Sequence, residues 1–153
     1  YAMTFGIRST VLRLFSVYGP CLRKQLLWDI CSRLQRAERT LVLGGTGAEI
    51  RDWTDVRDVA RLFTRLAEQP QPEAFRIING GSGRGTSVAD MADMLVKNWG
   101  GEVTVQFPGS MRAGDPFSLK ADDAGLRQLP FDWRIPVEQG VAGYVNWFKD
   151  RYR

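Results

Sequence analysis

The sequence contains no histidine and only two cysteines, Cys21 and Cys31, among its 153 residues. Histidine is the commonest metal ligand in proteins and a frequent general base, so its absence removes the usual zinc site and the usual proton acceptor. Two cysteines do not make a disulfide framework, and nothing in the sequence indicates an oxidising compartment. We therefore expect a cytoplasmic protein without a metal site.

Long hydrophobic runs and clustered charges are also missing. No stretch of about 18 apolar residues occurs, so we expect no membrane span. The 21 Lys and Arg residues exceed the 17 Asp and Glu residues by four, but the cations are scattered along the chain. A compact site for phosphate groups explains this charge better than a nucleic-acid surface, which would show a basic stripe or a stacking motif.

The remaining composition, 44% hydrophobic and 25% charged residues, is typical of one globular domain. Residues 7–17 predict a single buried parallel strand, because apolar and β-branched residues leave little room for a polar face. The Gly-Pro pair at 19–20 ends this strand. Ligands of open α/β sheets gather at the carboxyl ends of strands, which places Ser16 and Val17 where a ligand would be met. Residues 1–6 read as the last turn of a helix with a Gly C-cap, so we expect the chain to begin in mid-fold.

Apolar periodicity predicts four amphipathic helices and three further strands. The predicted helices lie at 22–37, from 54 to the prolines near 70, at 87–99, and from about 136 to the C-terminus. The predicted strands lie at 41–43, 75–78 and 103–107. Helices alternate with short strands, as in α/β proteins.

Two local patterns suggest an anion or a phosphate but have ordinary explanations. The segment Gly44 to Glu49 imitates the start of a dinucleotide-binding G-x-G-x-x-G fingerprint. Its third glycine is missing and no amphipathic helix follows, so we interpret the segment as a loop. At the start of the predicted helix 22–37, Arg23 and Lys24 lie beside free backbone N–H groups that would suit an anion. Simple solvation of both cations is an equal alternative.

Five segments resemble those of the extended short-chain dehydrogenase/reductases, the NAD-dependent nucleotide-sugar epimerases and dehydratases, in that family's order. Residues 13–20 are similar to its R-L-F-N-V-Y-G-P, and residues 47–60 to its G-x-x-x-R-D-W-x-x-V-x-D-V-A. Residues 79–83 look like the end of Y-N-I-G-x-G. Residues 111–115 resemble R-P-G-D, and residues 122–133 resemble D-x-S-K-x-x-x-x-L-G-W.

The resemblance implies an α/β fold, a small mixed α/β substrate lobe plus two strands that belong to the parallel sheet of an absent Rossmann domain. Residues 1–20 would be the end of the cofactor-binding domain and residues 21–153 the substrate-binding lobe, with strand 75–78 returning to the Rossmann sheet. The intact protein would use NAD or NADP. No cofactor and no activity are expected for this chain alone, since it has neither the cofactor fingerprint nor the family's Tyr-x-x-x-Lys pair.

The resemblance, together with the anion candidate Arg23, also identifies candidate site residues. The candidate substrate-binding residues are Ser16, Arg23, Leu43, Arg51, Asn79, Arg112 and Asp115. In the family, the residues at Arg51 and Arg112 hold the diphosphate of the nucleotide sugar, and a guanidinium suits this role because it stays charged and contacts two oxygens at once. Asp115 would lie near the ribose, and Leu14 and Val17 would be cofactor-binding residues beside the nicotinamide. No catalytic residue is assigned.

This chain departs from the family pattern at two of these positions. Ser16 stands where the family usually has an Asn that faces the sugar, and Leu43 stands where many members have an aromatic residue against the base. The expected partners are a nucleoside-diphosphate sugar and the missing N-terminal Rossmann domain. An exposed apolar strand edge would also invite a second copy of the chain.

Several alternatives stay open on the sequence alone. Arg51 could form a surface ion pair with Asp52 or Asp55, and Asn79 could be only a turn residue before Gly80. The whole chain could be a non-enzymatic anion- or protein-binding module with the same fold. Epimerisation, dehydration and reduction are not distinguished, and neither are NAD and NADP.

Overall fold

The structure, a computed structural model, describes residues 1–69, 73–110 and 114–152. Within these ranges the chain is mixed α/β, as predicted, and helices alternate with short strands. The helices are α1 (Ala2–Phe5), α2 (Gln25–Gln35), α3 (Val56–Glu68), α4 (Val88–Trp99), a 3-10 turn (Leu126–Gln128) and α5 (Val137–Tyr152). The strands are β1 (Ser9–Leu14), β2 (Ser16–Tyr18), β3 (Thr40–Val42), β4 (Ile50–Arg51), β5 (Trp53–Asp55), β6 (Phe75–Gly80), β7 (Thr86–Ser87), β8 (Thr104–Gln106) and β9 (Ser118–Leu119).

The strands form short, mostly parallel sheets. Strand β1 pairs with β6, β2 with β5, and β3 with β8, each as a parallel pair. Strand β4 is the centre of a three-stranded sheet, antiparallel to β7 and parallel to β9. Parallel neighbours need a crossover connection, which the helices between the paired strands supply for the longer pairs.

The single strand predicted over residues 7–17 is wrong, because β1 and β2 are separate strands with different partners. They part at Phe15. Strand β1 lies beside β6, whereas the N–H of Ser16 donates to the carbonyl of Asp52 at 3.0 Å and β2 continues along β5. A change of partner leaves the apolar pattern intact, so the pattern could not predict it.

The predicted helices are present, and their starting residues depend on capping. Helix α2 begins at Gln25 rather than at residue 22, after an extended Lys24. Helix α3 begins after Asp55, whose side chain accepts a hydrogen bond from the N–H of Arg57. The sequence predicts either Thr54 or Asp55 as the cap of this helix, and the structure uses Asp55. Helix α4 is capped by Ser87, whose hydroxyl accepts a hydrogen bond from the N–H of Asp90.

The main core lies between α2, α4 and α5. Its fully buried side chains include Leu27, Ile30, Cys31, Leu41, Met91, Leu95, Val141, Tyr144, Val145 and Phe148. A smaller cluster under α3 and β6 holds Leu62, Leu66, Ile78 and Leu126. Across the part of the chain that the structure describes, no helix has both the length and the apolarity needed to cross a bilayer.

One face of the β1–β6 sheet is apolar and uncovered. On the covered side, Leu12 packs against the smaller cluster, to which Ile78 belongs. On the other side, Val11 is 43% exposed, and Phe75 and Ile77 are each 50% exposed. Val11 and Ile77 lie opposite each other in the strand pair, so these side chains form one exposed apolar patch.

Gly140 lies inside α5, where the sequence gives glycine no evident benefit. The structure supplies the reason. A Cβ atom at this position would overlap the hydroxyl of the buried Tyr18 and lie 3.0 Å from a carboxylate oxygen of Asp55. The Tyr18 hydroxyl donates to the carbonyl of Val137 at 3.2 Å, so it is fixed where it meets the helix.

The substitution Gly140→Ala is expected to destabilise the chain by about 1–3 kcal/mol, because the added methyl group overpacks the contact with Tyr18. Gly143→Ala, in the same helix, is the matched control. Its Cβ would have no neighbour closer than 3.8 Å, so it should gain roughly 0.5–1 kcal/mol from helix propensity. Urea unfolding measures both changes, and equal stability of the two variants would contradict this explanation.

The two cysteines are free and differ in environment. Cys21 is exposed, whereas Cys31 is buried in α2 and burial raises the pKa of its thiol to about 12. Since the thiolate is the reactive form, only Cys21 should react with a chromogenic disulfide reagent in the folded chain at mildly alkaline pH. Both cysteines should react after denaturation, and rapid reaction of both before it would contradict the burial of Cys31.

Candidate functional site

A cleft of about 390 Å³ opens beside β4. Its walls come from the loop before β4, from β4 itself, from the start of α4 and from the segment between β8 and β9. The described residues that line it are Gly44, Gly45, Glu49, Arg51, Val88, Ser110 and Asp115. The structure therefore brings together two of the predicted substrate-binding residues, Arg51 and Asp115, from distant parts of the chain.

Arg51 ends the central strand of the three-stranded sheet. It lies opposite Thr86 of β7 and Leu119 of β9, so its backbone is held from both sides. Its guanidinium donates to the carbonyl of Ile50 at 2.8 Å. The alternative ion pair is not observed, because Asp52 binds backbone groups elsewhere and Asp55 binds Arg57.

Asp52 is fully buried and accepts four hydrogen bonds. One carboxylate oxygen accepts from the N–H of Ser82 at 2.9 Å and from its hydroxyl at 2.7 Å. The other accepts from the N–H of Gly83 at 2.8 Å and from that of Ala121 at 3.2 Å. This side chain fastens the loop after β6 and the residues after β9 to the strand that carries Arg51.

Glu49 organises the loop in front of the cleft. Its Oε1 accepts from the N–H of Thr46 at 2.8 Å and from the hydroxyl of Thr46 at 3.0 Å. The backbone N–H of Thr46 is the main cause that lowers the pKa of Glu49 below its ordinary value. Gly45 has a φ of 90° and a Cβ there would lie 2.8 Å from Oε1, so glycine allows the carboxylate to fold under the loop.

Glu49 is not among the site residues predicted from the sequence. The signal that could have identified it is the spacing Thr46-x-x-Glu49, which is the pattern of a capping box, in which a Ser or Thr and a Glu three residues later satisfy backbone N–H groups. In this chain the pattern stabilises a loop rather than the first turn of a helix. The loop interpretation of residues 44–49 is confirmed, since no helix follows them.

The interpretation of Asn79 as a turn residue is wrong. Asn79 lies in β6 opposite Arg13, and its side-chain amide donates to the carbonyl of Asp122 at 2.9 Å. The strand extends to Gly80, two residues beyond the predicted end. Asn79 is not among the described residues that line the cleft, so its role as a substrate-binding residue stays a prediction.

The other predicted residues lie on several elements. Ser16 and Val17 are partly buried in β2, and Leu14 is 45% exposed at the carboxyl end of β1. Arg23 lies over the ring of Tyr152, 5.6 Å from its centroid, and it is not among the described residues that line the cleft. This contact gives Arg23 a structural partner in the core helix α5.

Two of the predicted positions bear directly on the walls of the cleft. Leu43 is only 5% exposed because it packs in the main core, and the next residue, Gly44, lines the cleft instead. Arg112 lies outside the described residues, so its position relative to Arg51 stays a prediction. Within residues 1–69, 73–110 and 114–152, no three Asp, Glu, Cys or His side chains are grouped as metal ligands.

A model of the NAD dependent epimerase/dehydratase family matches residues 1–81. The chain belongs to this family. The matched range includes Glu49, Arg51, Asp52 and Asn79, and it ends before Asp115.

Comparison with individual members of the NAD dependent epimerase/dehydratase family gives the same assignment over the whole chain. An uncharacterized UDP-glucose epimerase from Bacillus subtilis (strain 168) is 25% identical over 100% of this chain and 48% of its own length. The structure of UDP-glucuronic acid 4-epimerase from Bacillus cereus in complex with UDP-glucuronic acid and NAD matches with a TM-score of 0.85 at 25% identity, over 99% of this chain and 48% of that one.

A second solved structure, UDP-glucose 4-epimerase from Thermotoga maritima with UDP-glucose, matches with a TM-score of 0.82 at 26% identity. The match covers 99% of this chain and 49% of that one. The chain thus spans about half the length of the relatives it matches, and the likeness extends beyond residues 1–81 to the segment that carries Asp115.

Replacing Asp52 by Asn is expected to destabilise the chain by about 2–3 kcal/mol. The NH2 group of the new amide is a donor, so it cannot accept the hydrogen bonds that backbone N–H groups now donate to one carboxylate oxygen. The control is Asp29→Asn. Asp29 has a side chain that is 57% exposed and lies 3.7 Å from Arg33, so its loss should change stability little. Urea unfolding of both variants measures the difference. An unchanged midpoint for the Asp52 variant would contradict the role of its carboxylate in holding these segments together.

Proposed function

We propose that this chain is the substrate-binding part of an NAD- or NADP-dependent nucleotide-sugar epimerase or dehydratase, and that the cleft beside β4 holds the nucleoside diphosphate. The observation that carries the proposal is the presence of Arg51 and Asp115 in one cleft. Membership of the epimerase/dehydratase family supports it. The complexes of two similar proteins with UDP-glucuronic acid and UDP-glucose also support it.

The chemistry of the cleft fits a diphosphate. The guanidinium of Arg51 has no carboxylate partner among the described residues, so it is available to a ligand. A diphosphate carries about two negative charges, and a second arginine, Arg112, would neutralise the other one. Gly44 and Gly45 also line the cleft, and their lack of side chains lets a ligand approach the backbone there.

The proposal assigns a domain role to each part of the chain. Residues 1–20 form the end of the cofactor-binding domain, residues 21–153 form the substrate-binding lobe, and β6 returns to the sheet of the Rossmann domain. The exposed apolar side chains of Val11, Phe75 and Ile77 support this division, because a cofactor-binding domain would cover that face.

The cofactor would lie at the carboxyl end of this sheet. Leu14 is exposed there at the end of a parallel strand pair, and it and Val17 would lie beside the nicotinamide. The cofactor would supply hydride transfer to and from the sugar. The residues of this chain would hold and orient the nucleotide, and we assign none of them a catalytic role. No observation favours the non-enzymatic alternative.

Isothermal titration of the chain with UDP-glucose tests this function. Arg51→Ala should weaken binding by about 10- to 150-fold, since one charge-assisted contact to phosphate is lost, and Arg112→Ala should act similarly. Arg127→Ala is the control. Arg127 is exposed, pairs with Asp123 and is not part of the cleft, so its loss should leave binding unchanged.

Equal affinity of the wild-type chain and the double variant Arg51→Ala/Arg112→Ala would contradict the assignment of the diphosphate site. Circular dichroism of each variant confirms that the chain is folded under the conditions of the titration. Titration with GDP-, ADP- and dTDP-linked glucose in the same format identifies the base that the cleft prefers.

A further inference from the structure

The segment that carries Asp115 is attached to the chain by hydrogen bonds rather than by buried apolar side chains. Every residue from 114 to 120 is exposed, and the large side chains of Phe117 and Leu119 are 52% and 42% exposed. Burial of apolar surface therefore contributes little to the position of this segment. Its backbone pairs with the short strand β4, and the N–H of Asp52 donates to the carbonyl of Leu119 at 3.1 Å.

The carboxylate of Asp52 holds both strands that flank Arg51. On one side it accepts from the N–H of Ala121, the residue at which the exposed segment after β9 enters the interior. On the other side it accepts from Ser82 and Gly83, in the loop that leads into β7. Strands β7 and β9 are the two neighbours of β4, so one buried group fixes both of them relative to the strand that presents Arg51.

Asp52 itself does not line the cleft. It is fully buried, and neither it nor the three residues that donate to it are among the described residues of the cleft wall. A diphosphate that contacts Arg51 beside the segment of Asp115 nevertheless depends on this junction, because the junction sets the spacing of the two groups. Groups that share a hydrogen-bond network are coupled in free energy, and coupling between two sites acts equally in both directions.

We propose that Asp52 is the positioning residue of the cleft and that its junction is coupled to the bound nucleotide. The junction places Arg51 and Asp115 at the spacing that a nucleoside diphosphate needs, and the bound nucleotide tightens the junction in return. This inference rests on the proposed function. It adds a coupling between the cleft and buried amides that lie outside it.

Hydrogen exchange measures this coupling. The N–H groups of Ser82, Gly83 and Ala121 donate to Asp52, so their exchange reports the opening of the junction. UDP-glucose at roughly ten times its dissociation constant should slow these three amides about tenfold, because the open junction does not bind the nucleotide. The effect is expected although none of the three is among the described residues that line the cleft.

The amides of Arg134 and Ile135 are the matched control. Each donates at 2.9 Å to the buried carboxylate of Asp58, and this second junction holds the segment before α5 rather than the strands beside Arg51. UDP-glucose should change their exchange by less than about twofold. Equal slowing at both junctions would indicate a general stabilisation of the chain and would overturn the coupling.

Isothermal titration of variants tests the positioning role. Asp52→Asn should bind UDP-glucose about tenfold more weakly than the wild-type chain. Gly140→Ala is the control for stability, because it is expected to destabilise the chain by a similar amount through its contact with Tyr18 and does not alter the cleft wall. Its affinity for UDP-glucose should equal that of the wild-type chain, and circular dichroism confirms that each variant is folded.

Ser82→Ala is a milder variant of the same junction. It removes the hydroxyl that donates to Asp52 at 2.7 Å and leaves the other three hydrogen bonds of the carboxylate in place. This variant should weaken UDP-glucose by about threefold, in the same direction as Asp52→Asn.

A positioning residue acts through the group that it positions. Asp52→Asn should therefore weaken UDP-glucose about tenfold in the wild-type background, but by less than about twofold in the Arg51→Ala background. An equal loss of affinity in the two backgrounds would contradict the positioning role, because a change in general stability does not depend on Arg51.

Unchanged affinity in both Asp52→Asn and Ser82→Ala would overturn this inference while leaving Arg51-dependent binding of UDP-glucose, and with it the proposed function, in place. A wild-type chain without measurable affinity for UDP-glucose would overturn the proposed function together with this inference, so the two failures are distinguishable.

Discussion

The buried carboxylate of Asp52 joins three segments that are far apart along the chain, and the architecture of the cleft depends on this junction. Its oxygens accept from the loop at Ser82 and Gly83 and from Ala121, while its own backbone continues from Arg51. A buried charge is tolerable only when its hydrogen bonds are made, so any displacement of these segments carries a large free-energy cost. The segment that returns from Asp115 is thereby held beside the strand that presents Arg51.

Residues 49, 51 and 52 have different roles. Glu49 and Arg51 line the cleft, whereas Asp52 holds the surrounding segments together. Strand alternation sends successive side chains to opposite sides, so Arg51 reaches the cleft while Asp52 turns toward the interior. Glu49 is on the cleft side as well, and its carboxylate stabilises the glycine loop. The charge of Arg51 is thus free for a ligand because the nearest carboxylates in sequence are already occupied by backbone N–H groups.

Much of the fold could be predicted from the sequence, because apolar periodicity and capping residues are local signals. Helices α3 and α4 begin at the caps that Asp55 and Ser87 provide. Pairing is not local, so the break at Phe15 and the fixation of Asn79 by Asp122 could not be predicted. Family motifs predicted Arg51 and Asp115 in one site. Asp52 escaped notice because its burial and its four hydrogen bonds arise only when distant segments meet.

The main core and the smaller cluster support different surfaces of the chain. The cleft begins at Val88, and α4 continues from there into the main core through Met91, Ala92 and Leu95. That core is closed by residues of the chain itself. The β1–β6 sheet is instead covered on one face only, and its exposed side carries Val11 and Ile77. Because the cleft is anchored to the closed core and not to the open sheet, the nucleotide binding that we propose for it should be separable from the contacts that a cofactor-binding domain would make.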